Sequence, residues 1–180
     1  MMLKNIIITN LLIILSSTPL YSQRASIYGI PFGSSFSKVE ETLDQKLFAN
    51  KYITPDYSTL EYQDVNLAGI VFGSLIISFN DTGVDNIMTK ARFSNCYKSN
   101  TIQLKKDRDK LFKKLSQKYS YVRSYINSIG FKSYEFGFSK DYIVGELGVS
   151  VLRKNQSSFG MDYYYLELMY SPQSSDSSDL

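Results

Sequence analysis

Large apolar side chains return at every second residue in six separate runs of this chain, the period of β-strands with one dry face. In Thr59 to Val65, Leu60 and Tyr62 oppose Glu61 and Gln63. Leu67 to Phe79 sets Val71, Leu75, Ile77 and Phe79 inward, with Phe72, Ser74, Ile76 and Ser78 outward. After the turn signal Asn80-Asp81-Thr82-Gly83, Ile87 to Phe93 sets Ile87, Thr89, Ala91 and Phe93 against Met88, Lys90 and Arg92. Three more runs follow in the second half. Lys132 to Phe138 opposes Tyr134, Phe136 and Phe138 to Ser133, Glu135 and Gly137. Tyr142 to Leu152 turns Ile143, Leu147, Val149 and Val151 inward, and Met161 to Tyr170 does the same with Tyr164, Leu166, Leu168 and Tyr170.

Each set of three strands follows a helix pattern. Val39, Leu43 and Leu47 recur every four residues behind Ser37 and Glu40, which have the spacing of a capping box. Leu104, Leu111, Leu115 and Tyr119 line a longer helix, and Tyr121 to Ile129 either continues it or forms a short second one. The first helix also lies over the second: Leu43, Gln45 and Lys46 meet Leu115, Gln117 and Lys118. A true duplication and two unrelated halves of similar element order both fit this pattern. The expected fold is α+β, an antiparallel sheet with helices on one face, built as a tandem repeat of a helix-plus-three-strands unit. Its segments are a signal peptide (1–22), a first unit (23–98), a second unit (99–170) and a disordered tail (171–180) rich in Ser and Asp.

The leader rests on Lys4, the apolar run Ile6 to Leu15 and the small polar residues Ser16, Ser17 and Thr18. Ten residues of moderate apolarity fall short of the roughly 20 that span a bilayer. The expected location is therefore secreted or periplasmic, with a soluble mature chain. The sequence has no His, which removes the commonest general base and metal ligand, and its one cysteine, Cys96, has no internal disulfide partner. A net charge of +3 is too mild to imply nucleic acid.

The stretch Gly29-Ile30-Pro31-Phe32-Gly33-Ser34-Ser35-Phe36-Ser37-Lys38-Val39 resembles the opening of small envelope proteins in which a helix precedes a three- or four-stranded antiparallel sheet. The small lipoprotein of the outer-membrane barrel-assembly machine is one such family. The tandem layout over residues 27 to 170 is similar to that of the β-lactamase inhibitor protein family, which presents a concave sheet to its partner. The resemblance implies a binding role at a sheet surface. The chain departs from both families, since it has neither the paired repeat cysteines of the one nor the lipidated cysteine of the other.

Parity leaves a second sheet face uncovered. In the first half it carries Glu61, Gln63, Phe72, Ile76, Met88, Lys90 and Arg92. In the second it carries Glu135, Tyr142, Val144, Glu146, Tyr163, Tyr165, Glu167 and Met169. Tyr, Met and Arg are the side chains that partner surfaces favour, although Tyr and charges are also ordinary residues of a solvated strand. The candidate partner-binding residues are Phe72, Arg92, Tyr142, Glu146, Tyr163, Tyr165, Glu167 and Met169. The expectation is a non-catalytic binding module for a protein partner in the envelope or outside the cell, without cofactor, metal or nucleic acid. Two alternatives stay open. One is a hydrolase built on a Ser-Lys pair or on two of Glu135, Glu146 and Glu167, which glycoside hydrolysis would need at a defined separation. The other is an envelope component that makes a weak anionic membrane contact through Lys105, Lys106, Arg108, Lys110, Lys113, Lys114 and Lys118.

Overall fold

The computed structural model describes residues 25–47, 49–83, 85–98, 101–152 and 162–172. The expected leader and residues 173–180 of the expected tail lie outside the described residues. Two short strands, β1 (Ser26–Ile27) and β2 (Ile30–Pro31), form a hairpin whose turn residues Tyr28 and Gly29 both have positive φ. The rest is α1 (Phe36–Lys46), then β3 (Lys51–Ile53), β4 (Thr59–Leu67), β5 (Ile70–Asp81) and β6 (Asn86–Lys98). These are followed by α2 (Thr101–Lys118), β7 (Tyr121–Ile126), β8 (Lys132–Ser139), β9 (Tyr142–Leu152) and β10 (Tyr163–Tyr170). The last eight strands make one antiparallel sheet in the order β3-β4-β5-β6-β10-β9-β8-β7.

Each helix is therefore followed by four strands rather than three. Lys51–Ile53, outside the six runs read as strands, pairs with β4 at one sheet edge. Tyr121–Ile126, read as helical, is a strand paired with β8 at the other edge. The preceding helix ends at Lys118; the Tyr119 N–H still bonds Leu115 O, and Ser120 Oγ then donates to Phe138 O at 2.6 Å, turning the chain onto the sheet. The Tyr-Val-Arg-Ser-Tyr-Ile run that follows is rich in residues that favour strands.

Both helices bury their apolar stripes. In α1 these are Phe36, Val39 and Leu43; in α2 they are Leu104, Leu111 and Leu115. Arg108 shares the buried stripe of α2, where its guanidinium is satisfied by Asp109 at 2.8 Å and Lys132 O at 3.3 Å. The capping box does not form. Ser35, not Ser37, is the N-cap and makes no side-chain cap bond, while Glu40 instead pairs with Lys51 at 2.7 Å.

Cross-strand register gathers one row through six strands: Tyr62, Leu75, Phe93, Leu168, Leu147 and Tyr134. All six are buried, and both helices lie over this face. Phe112 stacks on Tyr134 with ring centres 4.2 Å apart, and Phe36 meets Phe79 at 4.9 Å. Gly145 sits opposite both Phe136 and Tyr170, whose rings pack at 5.3 Å over the glycine. A Cβ there would lie 2.0 Å from Met169 O, so this close strand approach excludes every other residue.

Alternation fails at three places. On β5, Phe72 is fully buried and Val71 is 54% exposed, the reverse of the sequence expectation. Gln63 to Val65 and Phe72 to Ser74 form a matched irregularity in which Asp64 has φ +56°. Both strands change parity there, and the hairpin tip folds so that Phe72 meets Phe93 at 5.5 Å. On β6, Met88 is buried because a bulge leaves Ser78 opposite Lys90 but Phe79 opposite Met88, with Thr89 as the extra residue. On β9, Phe136 faces Gly145 and Gly137 faces Ile143, so Val144 is the extra residue and is fully buried rather than outward.

Candidate functional site

The second face of the sheet has its own row: Glu61, Ile76, Arg92, Met169, Glu146, Glu135 and Arg123. Each of these side chains is at least partly exposed, and no described element packs over them. Strand β10 presents Tyr163, Tyr165, Glu167 and Met169 here because Leu166, Leu168 and Tyr170 are committed to the core.

Register opposes Glu135 to Glu146, an unfavourable like-charge pair on its own. Each carboxylate has a separate partner that offsets it. Arg123 holds Glu135 at 2.8 Å, and the Tyr125 hydroxyl donates to Glu146 Oε1. Burial, then the bond to Glu146, pushes the Tyr125 hydroxyl up to about 12, so it stays a donor across the physiological range. The third carboxylate, Glu167, lies 3.8 Å from Arg92, a loose and half-exposed ion pair.

Between these groups lies a concavity of about 280 Å³ lined by Lys90, Arg92, Ser133, Glu146, Glu167 and Met169, among others. Gly148 makes room in it, since a Cβ there would meet Ser133 Oγ at 3.3 Å. Ser133 is fully buried opposite Tyr125, and its hydroxyl acts to lower the Tyr125 pKa against the larger effects of burial and Glu146. Cations on one side and carboxylates on the other suit a polar, mixed-charge contact. Among the described residues no three metal-ligating side chains gather.

The structure thus brings together Arg92, Glu146, Glu167 and Met169, with Tyr163 and Tyr165 farther along the same face of β10. Tyr165 pairs in register with Cys96, which is exposed; burial first, and Cys96 second, raise the tyrosine pKa. Two candidates fall elsewhere. Phe72 belongs to the core, as described above. Tyr142 packs on Phe138 at 5.5 Å, beside the Tyr119 cluster at the end of the sheet, because two register shifts between β8 and β9 separate it from Glu146. Sequence reasoning missed Tyr125 and Asn127, whose segment was read as helical. It also passed over Ser133, although alternation along β8 had put it on the Glu135 face. No protein-family model, curated protein or solved structure was found to match this chain.

Proposed function

We propose that this chain is a secreted or periplasmic, non-catalytic binding module that holds a protein partner on the uncovered sheet face. The observation that carries this reading is the asymmetry of the sheet. One row is sealed under two helices, while the other displays Arg92, Met169 and Glu146, with Tyr163 and Tyr165 on the same face. Tyrosine buries large contact area at modest entropic cost, methionine and arginine are enriched at partner surfaces, and the mixed cations and carboxylates at the centre favour a partner with polar groups. The same reading takes the two halves as copies of one unit, a helix and four strands, joined at their last strands β6 and β10. Support comes from the strand order, which runs first to last strand from either edge of the sheet. It also agrees with the resemblance to inhibitors that use a concave sheet.

The test is capture of partners from envelope and culture extracts with the native chain and with Tyr163→Ala/Tyr165→Ala. Circular dichroism would establish that the variant is folded. Loss of a specific partner by the folded variant supports the reading. Equal recovery of every partner by both chains removes this face as the binding surface.

A further inference from the structure

The helix side of the sheet holds a second concavity, separate from the open face. It encloses about 180 Å³ where α2, the β1–β2 hairpin and the β4–β5 turn meet. Phe93, Leu168 and Tyr170 form its floor, and all three are buried in the core. Ile27, Leu111 and Leu115 form its walls. The exposed lysines Lys114 and Lys118, one turn apart on α2, also line it, and no carboxylate contributes to it.

The surrounding segments are fastened in place. Lys118 Nζ donates to Ser26 O at 3.3 Å, Lys110 Nζ to Gly69 O at 3.1 Å and Lys46 Nζ to Tyr28 O at 2.5 Å. The Lys118 ammonium also lies 5.1 Å from the centre of the Tyr119 ring. Partial desolvation lowers its pKa, although the side chain stays exposed. An anion placed beside the ammonium gains a charge-assisted hydrogen bond. The apolar part of the void sets the other half of the ligand. A cavity of about 150 Å³ lined by aliphatic and aromatic side chains takes up a molecule the size of benzene.

We propose that this cavity binds a small amphipathic carboxylate. An apolar body of about six carbons fills the space among Phe93, Leu115 and Tyr170, in line with that volume. The carboxylate meets Lys118, with Lys114 as the second positive charge. This site is independent of the partner surface on the opposite face.

The probe is hexanoate, with hexan-1-ol as its uncharged counterpart, titrated into the full chain while the methyl signals of Leu111, Leu115 and Leu168 are followed by NMR. Hexanoate is expected to shift these methyls and to bind at least tenfold more tightly than hexan-1-ol. Lys118→Met, which keeps an unbranched apolar stem but loses the ammonium and its bond to Ser26 O, is expected to remove most of that tenfold advantage, while hexan-1-ol still shifts the same methyls. Leu115→Phe fills the cavity and abolishes both. Three results would each overturn the proposal: hexanoate that shifts none of these methyls, equal affinity for the acid and the alcohol, or hexanoate affinity unaltered in Lys118→Met. The Lys118 comparison decides the matter if Leu115→Phe fails to fold.

Discussion

Replacing Phe72 and Val71 separately by alanine sets the observed parity of β5 against simple alternation. Phe72 is fully buried and meets Phe93 at 5.5 Å near the middle of the core. A phenylalanine carries about 150–250 Å² of burial, which at about 25 cal/mol per Å² corresponds to roughly 4–6 kcal/mol. Alanine keeps the Cβ, so the expected cost of Phe72→Ala is about 3–5 kcal/mol. Val71 is 54% exposed, and Val71→Ala should cost no more than about 1 kcal/mol, mostly lost strand preference. In a chain of this size each kcal/mol moves the melting temperature by roughly 2–4 °C. Phe72→Ala should therefore melt roughly 10 °C lower, and Val71→Ala within a few degrees of the parent. Thermal and urea unfolding by circular dichroism would measure both. A Val71→Ala variant damaged as much as Phe72→Ala would refute the face switch at Asp64 and restore strict alternation.

Three further outcomes are expected. Gly145→Ala places a Cβ 2.0 Å from Met169 O and should cost about 3 kcal/mol or more in urea unfolding, whereas Gly148→Ala, whose Cβ would meet only side chains, the nearest being Ser133 Oγ at 3.3 Å, should cost markedly less; equal midpoints for the two would contradict the β9–β10 geometry. Burial acts to raise the Asp44 pKa, but Lys51 at 2.5 Å and the Tyr62 hydroxyl at 2.6 Å outweigh it and hold the carboxyl below its usual value. Its stabilising contribution is thus present above the unfolded pKa of about 3.9 and is lost as pH falls through the folded value. Asp44→Asn should flatten the acid limb of stability against pH below about pH 4, and an unchanged limb would discount the pairing. Cys96 is exposed beside Tyr165, so a maleimide should label the native chain readily and the proposed partner should slow that labelling. Undiminished labelling in the complex would take Tyr165 out of the interface.

Much of the sheet was legible from side-chain period alone. Strand β10 is the clearest case: Leu166, Leu168 and Tyr170 are buried and Tyr163, Tyr165, Glu167 and Met169 share the opposite face, as alternation requires. The helical stripes at Val39 and Leu43 and at Leu104, Leu111 and Leu115 were equally readable, because i and i+3 or i+4 neighbours are fixed by the helix itself. Short edge strands were not. Lys51–Ile53 has only three residues, and Tyr121–Ile126 follows a helix without a Gly or Pro to mark its end.

What the sequence determined by itself is therefore local: which runs are pleated, which are helical, and which side of an undisturbed strand is apolar. The tertiary structure decided where parity resets and which residues meet as a site. Phe72, Met88 and Val144 turned inward, and Tyr142 left the central group, because pairing placed bulges or matched kinks beside them. Ser133, Glu146 and Tyr125 came together only through the register of three strands. The physical reason is that one extra residue in a strand inverts a period of two, and its position is chosen by hydrogen bonding to a neighbour that local sequence does not specify.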